Sequence, residues 1–301
     1  MPPRSLVIVG SCEDLQSQGW FDVCRMSGYD AHLLEPREIS RTWWLTAESG
    51  VVPSVRTVNG RCFVLNDRSV CWSLRGPFNA PLTTLSTLSL LHRYLSWYSY
   101  PLGNYFQHGY EECRIESKPL QIQFTYSQYP TTHLATRLET VLDGNRDQYV
   151  AKSISGQRSI VVRCSDPRLK HSDNRQPFPV QLQQHVVGLP IKVHFYRTRY
   201  DTWMTFAVAS ESDSVDYRYS STTTYREIVA KPLWYKMAAD FYAKCGTRFF
   251  DIDIICSDGT SLTFLEVNCS PAPVYFERAM ESGALKYSAR VISDWLSGGL
   301  A

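Results

Sequence analysis

Phe249-Phe250-Asp251-Ile252-Asp253-Ile254-Ile255 leads through Ser257-Asp258-Gly259-Thr260 into Leu262-Thr263-Phe264-Leu265-Glu266-Val267-Asn268. Two alternating apolar runs flanking Asp-Gly predict a β-hairpin, because Asp-Gly supplies the positive φ that a tight hairpin turn needs. With Asp258-Gly259 as the loop, Asp251 stands opposite Glu266 and Asp253 opposite Phe264. The two-residue period of a strand then puts both aspartates on one face with Glu266 and Asn268. Like charges facing one another across a sheet repel, and a bound cation is the usual offset. Oxygen-only ligands suit a hard ion such as Mg²⁺, which typically also holds substrate phosphates. The plainer alternative is a solvated hairpin face carrying unrelated acids.

Outward from this hairpin, the chain of 301 residues is long enough for two or three lobes that share a cleft. Hydrophobic residues at 44% and charged residues at 20% fit a globular chain and exclude a disordered or collagen-like one. A net charge of +2, with Lys and Arg scattered, argues against a nucleic-acid binder, which needs a concentrated basic surface. The apolar run after Arg4-Ser5 is too short for a signal-peptide core or a membrane span, so a cytoplasmic protein without membrane partners is expected. The nine cysteines are odd in number and show no Cys-x-x-Cys spacing, which predicts reduced, mostly buried thiols and no structural zinc.

Leu6-Val7-Ile8-Val9, a helix-like stretch from Glu13 to Ser27 and a strand near Ala31 to Leu34 read as a β-α-β opening. It lacks the Gly-x-Gly-x-x-Gly fingerprint of a dinucleotide site. Strands continue through Asn59-Gly60 and Ser69 to Leu74, and Leu82 to Tyr98 has the apolar spacing of a core helix. Gly103 to Glu116 reads as a connection. A second unit follows, with a helix-like stretch at Thr132 to Leu142, strands at Tyr149 to Ile154 and Ser159 to Val162, and a polar loop from Cys164 to Pro177.

Phe264-Leu265-Glu266-Val267-Asn268-Cys269-Ser270-Pro271 resembles the Leu-Glu-Val-Asn-x-Ser-Pro element of the ATP-grasp superfamily. The resemblance implies that Asp253, Glu266 and Asn268 hold the Mg²⁺ that bridges ATP phosphates, with Asp251 as the alternative first ligand. Other stretches follow in the order of that superfamily. Ser117-Lys118-Pro119-Leu120-Gln121, followed by Tyr129-Pro130-Thr131-Thr132, resembles its opening element, and Tyr149-Val150-Ala151-Lys152-Ser153 with Gly156 resembles its phosphate strand and covering loop. Lys118 and Lys152 become candidate phosphate contacts, a task that suits lysine as a mobile point charge. Pro179 to Val186 resembles the inter-lobe strand at adenine, which brings in Gln181, Gln183, Gln184 and His185. Leu189-Pro190-Ile191-Lys192-Val193 resembles an Asp-Ile-Arg-Val element, with Lys192 where Arg is common and Gln184 where Glu is common. A lysine there keeps the charge and loses the bidentate fork.

A narrower likeness joins Ala207-Val208-Ala209-Ser210, Val215-Asp216-Tyr217-Arg218 and Val70-Cys71-Trp72-Ser73-Leu74-Arg75-Gly76-Pro77 to the ATP-grasp ribosomal peptide maturases, which install side-chain ester or amide crosslinks. The fold so implied is α+β / α/β. A pre-ATP-grasp β-α-β lobe would span residues 1–116, a central lobe 117–184 and a C-terminal lobe with the metal site 185–301. The activity implied is an ATP- and Mg²⁺-dependent ligase that makes an acylphosphate and passes it to an amine or hydroxyl, with Lys192 and Arg218 as catalytic candidates. Its partners would be ATP and a peptide or amino-acid substrate, and many enzymes of this kind are homodimers. A small-molecule ligase, or a nucleotide-binding regulator without turnover, are the competing readings. Cys269 as a nucleophile is disfavoured, since no histidine is near it in sequence, and His185 and His194 read as structural.

Overall fold

Two short apolar runs, Ser5–Val9 and Asp30–Leu34, with a capped helix between them, produce the first unit of the chain. The computed structural model describes residues 5–9, 12–34, 54–56, 62–64, 70–72, 132–137, 145–153, 161–167, 175–215, 220–245, 248–259, 261–268, 271–280 and 282–298. Strand β1 (Ser5–Val9), helix α1 (Leu15–Met26) and strand β2 (Asp30–Leu34) form the expected β-α-β unit, with β1 and β2 parallel. Asp14 caps α1 by accepting from the Ser17 amide at 2.9 Å. Gly28, at φ +81, ends the helix in the left-handed conformation that a residue with a Cβ resists. Strand β5 (Val70–Trp72) adds to β1 in parallel, while β3 (Ser54–Arg56) and β4 (Cys62–Val64) make a separate antiparallel pair.

The second sheet has the order β6-β9-β7-β8, built from β6 (Thr132–Arg137), β7 (Tyr149–Ser153), β8 (Val162–Arg163) and β9 (Arg175–Gln184). Here two expectations fail. Residues 132–137 are strand, not helix, because they pair with β9 from Thr132 opposite Gln183 to Arg137 opposite Arg175; ladder bonds to a distant strand override a local periodicity. Strand β9 also begins at Arg175, so the polar segment ends sooner than Pro177.

The third sheet is five-stranded, β12-β11-β10-β13-β14, and antiparallel throughout. It comprises β10 (Leu189–Arg197), β11 (Trp203–Glu211), β12 (Thr224–Ile228), β13 (Phe249–Cys256) and β14 (Leu262–Asn268). Alternation sends Ile191, Val193, Phe195, Phe250, Ile252 and Ile254 to one face, where they pack with Trp234, Met237, Ala238 and Phe241 of helix α2 (Pro232–Cys245). Each large apolar side chain so buried contributes roughly 1.5–3 kcal/mol. Tyr196, Phe206, Val208 and Phe249 point the other way, into a core shared with Trp20 and Val23 of α1, Val274 and Phe276 of helix α3 (Pro273–Ala279), and Val291 and Ile292 of helix α4 (Lys286–Gly298).

On that second face Glu277, only 1% exposed, turns its carboxylate onto the start of α4. It accepts from the amides of Tyr287 at 2.6 Å and Ser288 at 3.2 Å and from the Ser288 hydroxyl. Burial raises its pKa while those three donors pull it back. The thiols of Cys24, Cys164 and Cys256 are buried and unbridged, as expected, and burial pushes Cys24 up to about 12. Among the described residues no helix is long and apolar enough to cross a membrane.

Candidate functional site

The acidic hairpin folds with a register that its sequence does not advertise. Cys256 faces Leu262 and Ile254 faces Phe264, yet the next pairs are Asp253 with Glu266 and Asp251 with Asn268. Leu265 is the extra residue of a β-bulge between the two registers. Its effect is a change of phase within one strand. Leu262, Phe264 and Val267 pack in the α2 core, whereas Glu266 and Asn268 come to the opposite face beside Asp253 and Asp251. The expected pairs, Asp251 with Glu266 and Asp253 with Phe264, are thus corrected by two positions. The shared face of the four polar residues stands.

Strand β10 adds a cation to this face, because Lys192 lies opposite Asp253 and His194 opposite Asp251. The Lys192 Nζ is 2.6 Å from Asp253 Oδ1 and donates to Asp251 Oδ1 at 2.9 Å. Asn268 Nδ2 donates to Asp251 Oδ1 at 2.7 Å and to Asp253 Oδ2 at 3.2 Å. Beneath them His194 is fully buried, its Nδ1 3.6 Å from Asp251 Oδ2 and its ring stacked on Phe206. Burial, reinforced by the neighbouring Asp251 and Glu266 charges and opposed by Lys192, lifts the Asp253 carboxyl to about 7.

This donor set is compatible with Mg²⁺. Among the described residues no three His, Cys, Asp or Glu side chains close a metal cage by themselves. A hard ion that keeps waters and phosphate oxygens asks for only one or two carboxylates from the protein. With its NH₂ turned to the aspartates, Asn268 keeps its carbonyl oxygen as a further acceptor.

The second predicted group lies on the other sheet. Lys152 of β7 is directly across from Gln181 of β9, and Val150 from Gln183. Lys152, Gln181 and Gln183 are all buried, on the face of β9 away from Leu182, which packs with Ala151 and Cys164. Gln183 Nε2 has no hydrogen-bond partner among the described residues, an arrangement that favours a polar ligand. Gln184 is exposed and follows the alternation to the opposite face. His185 is half-buried, its amide donating to Gln148 O at 2.7 Å, and burial together with Arg163 lowers its pKa. Lys118, Gly156 and Arg218 lie outside the described residues. His194 stands two residues after Lys192 on the same strand face and is packed between Phe206 and Phe276.

No protein-family model matches the sequence, and no curated protein matches it. Solved structures do. The ATP-grasp ligase PsnB, complexed with a minimal precursor, Mg and ADP, superposes with a TM-score of 0.68 at 14% identity over 97% of this chain and 98% of that one. The macrocyclase MdnC of Microcystis aeruginosa, bound with precursor peptide MdnA, gives 0.71 at 14% identity over 97% and 99%. D-alanyl-alanine synthetase A of Vibrio cholerae gives 0.62 at 11% identity over 99% of both chains. Likenesses over nearly the whole length, with the strand order and the acidic hairpin described above, establish the architecture: this chain has the ATP-grasp fold.

Proposed function

We propose that the chain is an ATP- and Mg²⁺-dependent ligase that activates a carboxylate as an acylphosphate and joins it to an amine or hydroxyl of a peptide substrate. The observation that carries the reading is the gathering of Lys192, Asp253, Glu266 and Asn268 on one face of the five-stranded sheet, by a bulge at Leu265 that changes the phase of β14. Bulges recur next to active sites, where they re-aim side chains. The peptide substrate is favoured by the likeness to PsnB and MdnC, whose structures contain precursor peptides.

In this reading Asp253, Glu266 and Asn268 hold Mg²⁺, which supplies positive charge to phosphate oxygens when bound. Lys152, buried beside Gln181, brings a second cation to the phosphates, and Gln183 and the backbone through His185 orient the base. Lys192 faces the transferring group, and Arg218 is the second catalytic candidate. A carboxylate oxygen of the substrate attacks the γ-phosphorus, the bond to the bridging oxygen breaks and ADP leaves. An amine or hydroxyl then attacks the acyl carbon, loses its proton and expels phosphate. The protein positions and neutralises; it contributes no nucleophile. Domain limits at residues 116 and 184 belong to the same reading.

The second reading, a ligase of small amino acids, draws on the likeness to D-alanyl-alanine synthetase A. Calorimetric titration with a non-hydrolysable ATP analogue, with and without Mg²⁺, tests both at once on the wild type, Glu266→Gln and Asn268→Ala. Binding that requires Mg²⁺ and both side chains is expected. Absence of binding under every condition overturns the proposal. ADP release with a panel of peptide and amino-acid acceptors then separates the two substrates.

A further inference from the structure

Three of the four carboxylate oxygens of Asp251 and Asp253 already have a donor from the protein. Asp253 Oδ1 takes Lys192 at 2.6 Å and Oδ2 takes Asn268 at 3.2 Å. Asp251 Oδ1 takes both Lys192 at 2.9 Å and Asn268 at 2.7 Å. The Lys192 side chain is 11% exposed and those of Asp251 and Asp253 are 2% and 18% exposed, so this is an enclosed ion cluster and not a surface pair. An ammonium is compact and tetrahedral, and it seats between two carboxylates where a planar guanidinium, with its wide fork, has a different fit.

We infer that Lys192 is a built-in counter-ion that competes with a divalent ion for Asp253, so that the metal enters only when nucleotide phosphates draw the lysine away. The inference rests on the function proposed above and names the regulation of its metal site. A metal on Asp253 needs oxygen contacts of about 2.1 Å, and Lys192 Nζ already stands 2.6 Å from Oδ1. Two cations held by one oxygen lie close enough to repel each other strongly in an enclosed site, which sets them in competition. Leaving costs Lys192 two buried charge-assisted bonds, and only a replacement anion offsets that loss. A triphosphate brings the anion and the metal together. Metal and nucleotide binding become one coupled event, and idle occupation of the site by cellular divalent ions is suppressed.

The test is titration of the full chain, without nucleotide, with Mn²⁺ followed by electron paramagnetic resonance of the free ion. Lys192→Met should take one Mn²⁺ at least tenfold more tightly than the wild type, and adding Asp253→Asn should abolish that binding. Circular dichroism checks that the variants fold. If Lys192→Met alone does not, the double variant Lys192→Met with Asp251→Asn removes one charge of each sign and must show the same gain. Equal Mn²⁺ affinity in wild type and variant overturns the inference. So does a variant that takes no Mn²⁺ while the wild type takes it in the presence of the ATP analogue, an outcome that leaves the proposed function standing. Failure of every form to take Mn²⁺, with the analogue present, overturns both.

Discussion

Asp253 stands directly across from Glu266 in the β13–β14 ladder, an alignment of two acids that Leu265 creates by standing as an extra residue beside them. Directly opposed like charges destabilise a sheet by up to ~1 kcal/mol. With Asp251 on the same face and, among the described residues, Lys192 bonded to both aspartates, the hairpin carries an electrostatic burden that packing does not explain.

Glu266→Gln should therefore act in opposite directions on stability and on binding. Removing one negative charge relieves Asp253, stabilising the nucleotide-free protein by up to ~1 kcal/mol and raising the melting temperature by about ~2 °C. The same change should abolish Mg²⁺-dependent nucleotide binding. Thermal melts and calorimetry on one preparation give both signs. A fall in melting temperature would mean that Glu266 is a structural residue, and the metal assignment would go with it.

A carboxyl held near 7 makes the site sensitive to pH in the neutral range. Its folded pKa is raised above the unfolded 3.8, so the native state binds the extra proton between those values. Stability contributed by this group is therefore lost as pH rises from about 4 to about 7. Metal binding has the other sign, since the ligand must be ionised. Below neutrality, affinity for the Mg²⁺–analogue complex should weaken by about tenfold per pH unit, beyond the analogue's own phosphate titration measured separately. A flat profile from pH 6 to 8 would remove Asp253 from the coordination shell.

Much of this arrangement was readable in the sequence, and the parts that were not share a physical origin. The alternating runs around Asp258-Gly259 identify the hairpin, and Asp14, Ser17 and Gly28 delimit α1, because these are local choices of the backbone. The register was missed because Leu265 looks like any apolar residue of an alternating strand. Only the need to bury Phe264 against α2 while Glu266 faces Asp253 reveals it as the bulge. Thr132–Arg137 read as helix because its pairing partner, β9, lies some forty residues on. The Lys192–Asp251 bond spans 59 residues and depends on β10 and β13 being neighbours, which no local pattern states.

Lys152 tests the nucleotide half of the proposal without touching the metal half. Lys152→Met keeps the length of the stem in its buried position opposite Gln181 and removes the charge. Affinity for the ATP analogue should fall by about 1.5–3 kcal/mol, the range of a charge-assisted hydrogen bond. An unchanged dissociation constant would take this lysine out of the phosphate site.

The acidic hairpin is also tied to the N-terminal unit, and Gly19 is where that tie has no slack. A Cβ at Gly19 would lie 1.8 Å from Val274 Cγ1, so α1 and α3 approach more closely than any side chain permits. The Gln16 side-chain amide, one turn earlier, donates to the Pro271 carbonyl at 3.4 Å, in the segment between Asn268 and α3. In an exposed helix Gly→Ala gains up to ~1 kcal/mol from propensity, but forcing apart a packed contact costs roughly 1–3 kcal/mol. The clash should win, giving net destabilisation of about 1–2 kcal/mol for Gly19→Ala. Because α3 follows closely on β14, the shift should reach Asn268 and weaken Mg²⁺-dependent nucleotide binding as well. Val274→Ala makes room for the new methyl, so the double variant should be less destabilised than the two single effects summed. If Gly19→Ala melts with the wild type and binds nucleotide equally well, the helix contact yields freely and the N-terminal unit does not hold the acidic hairpin in place.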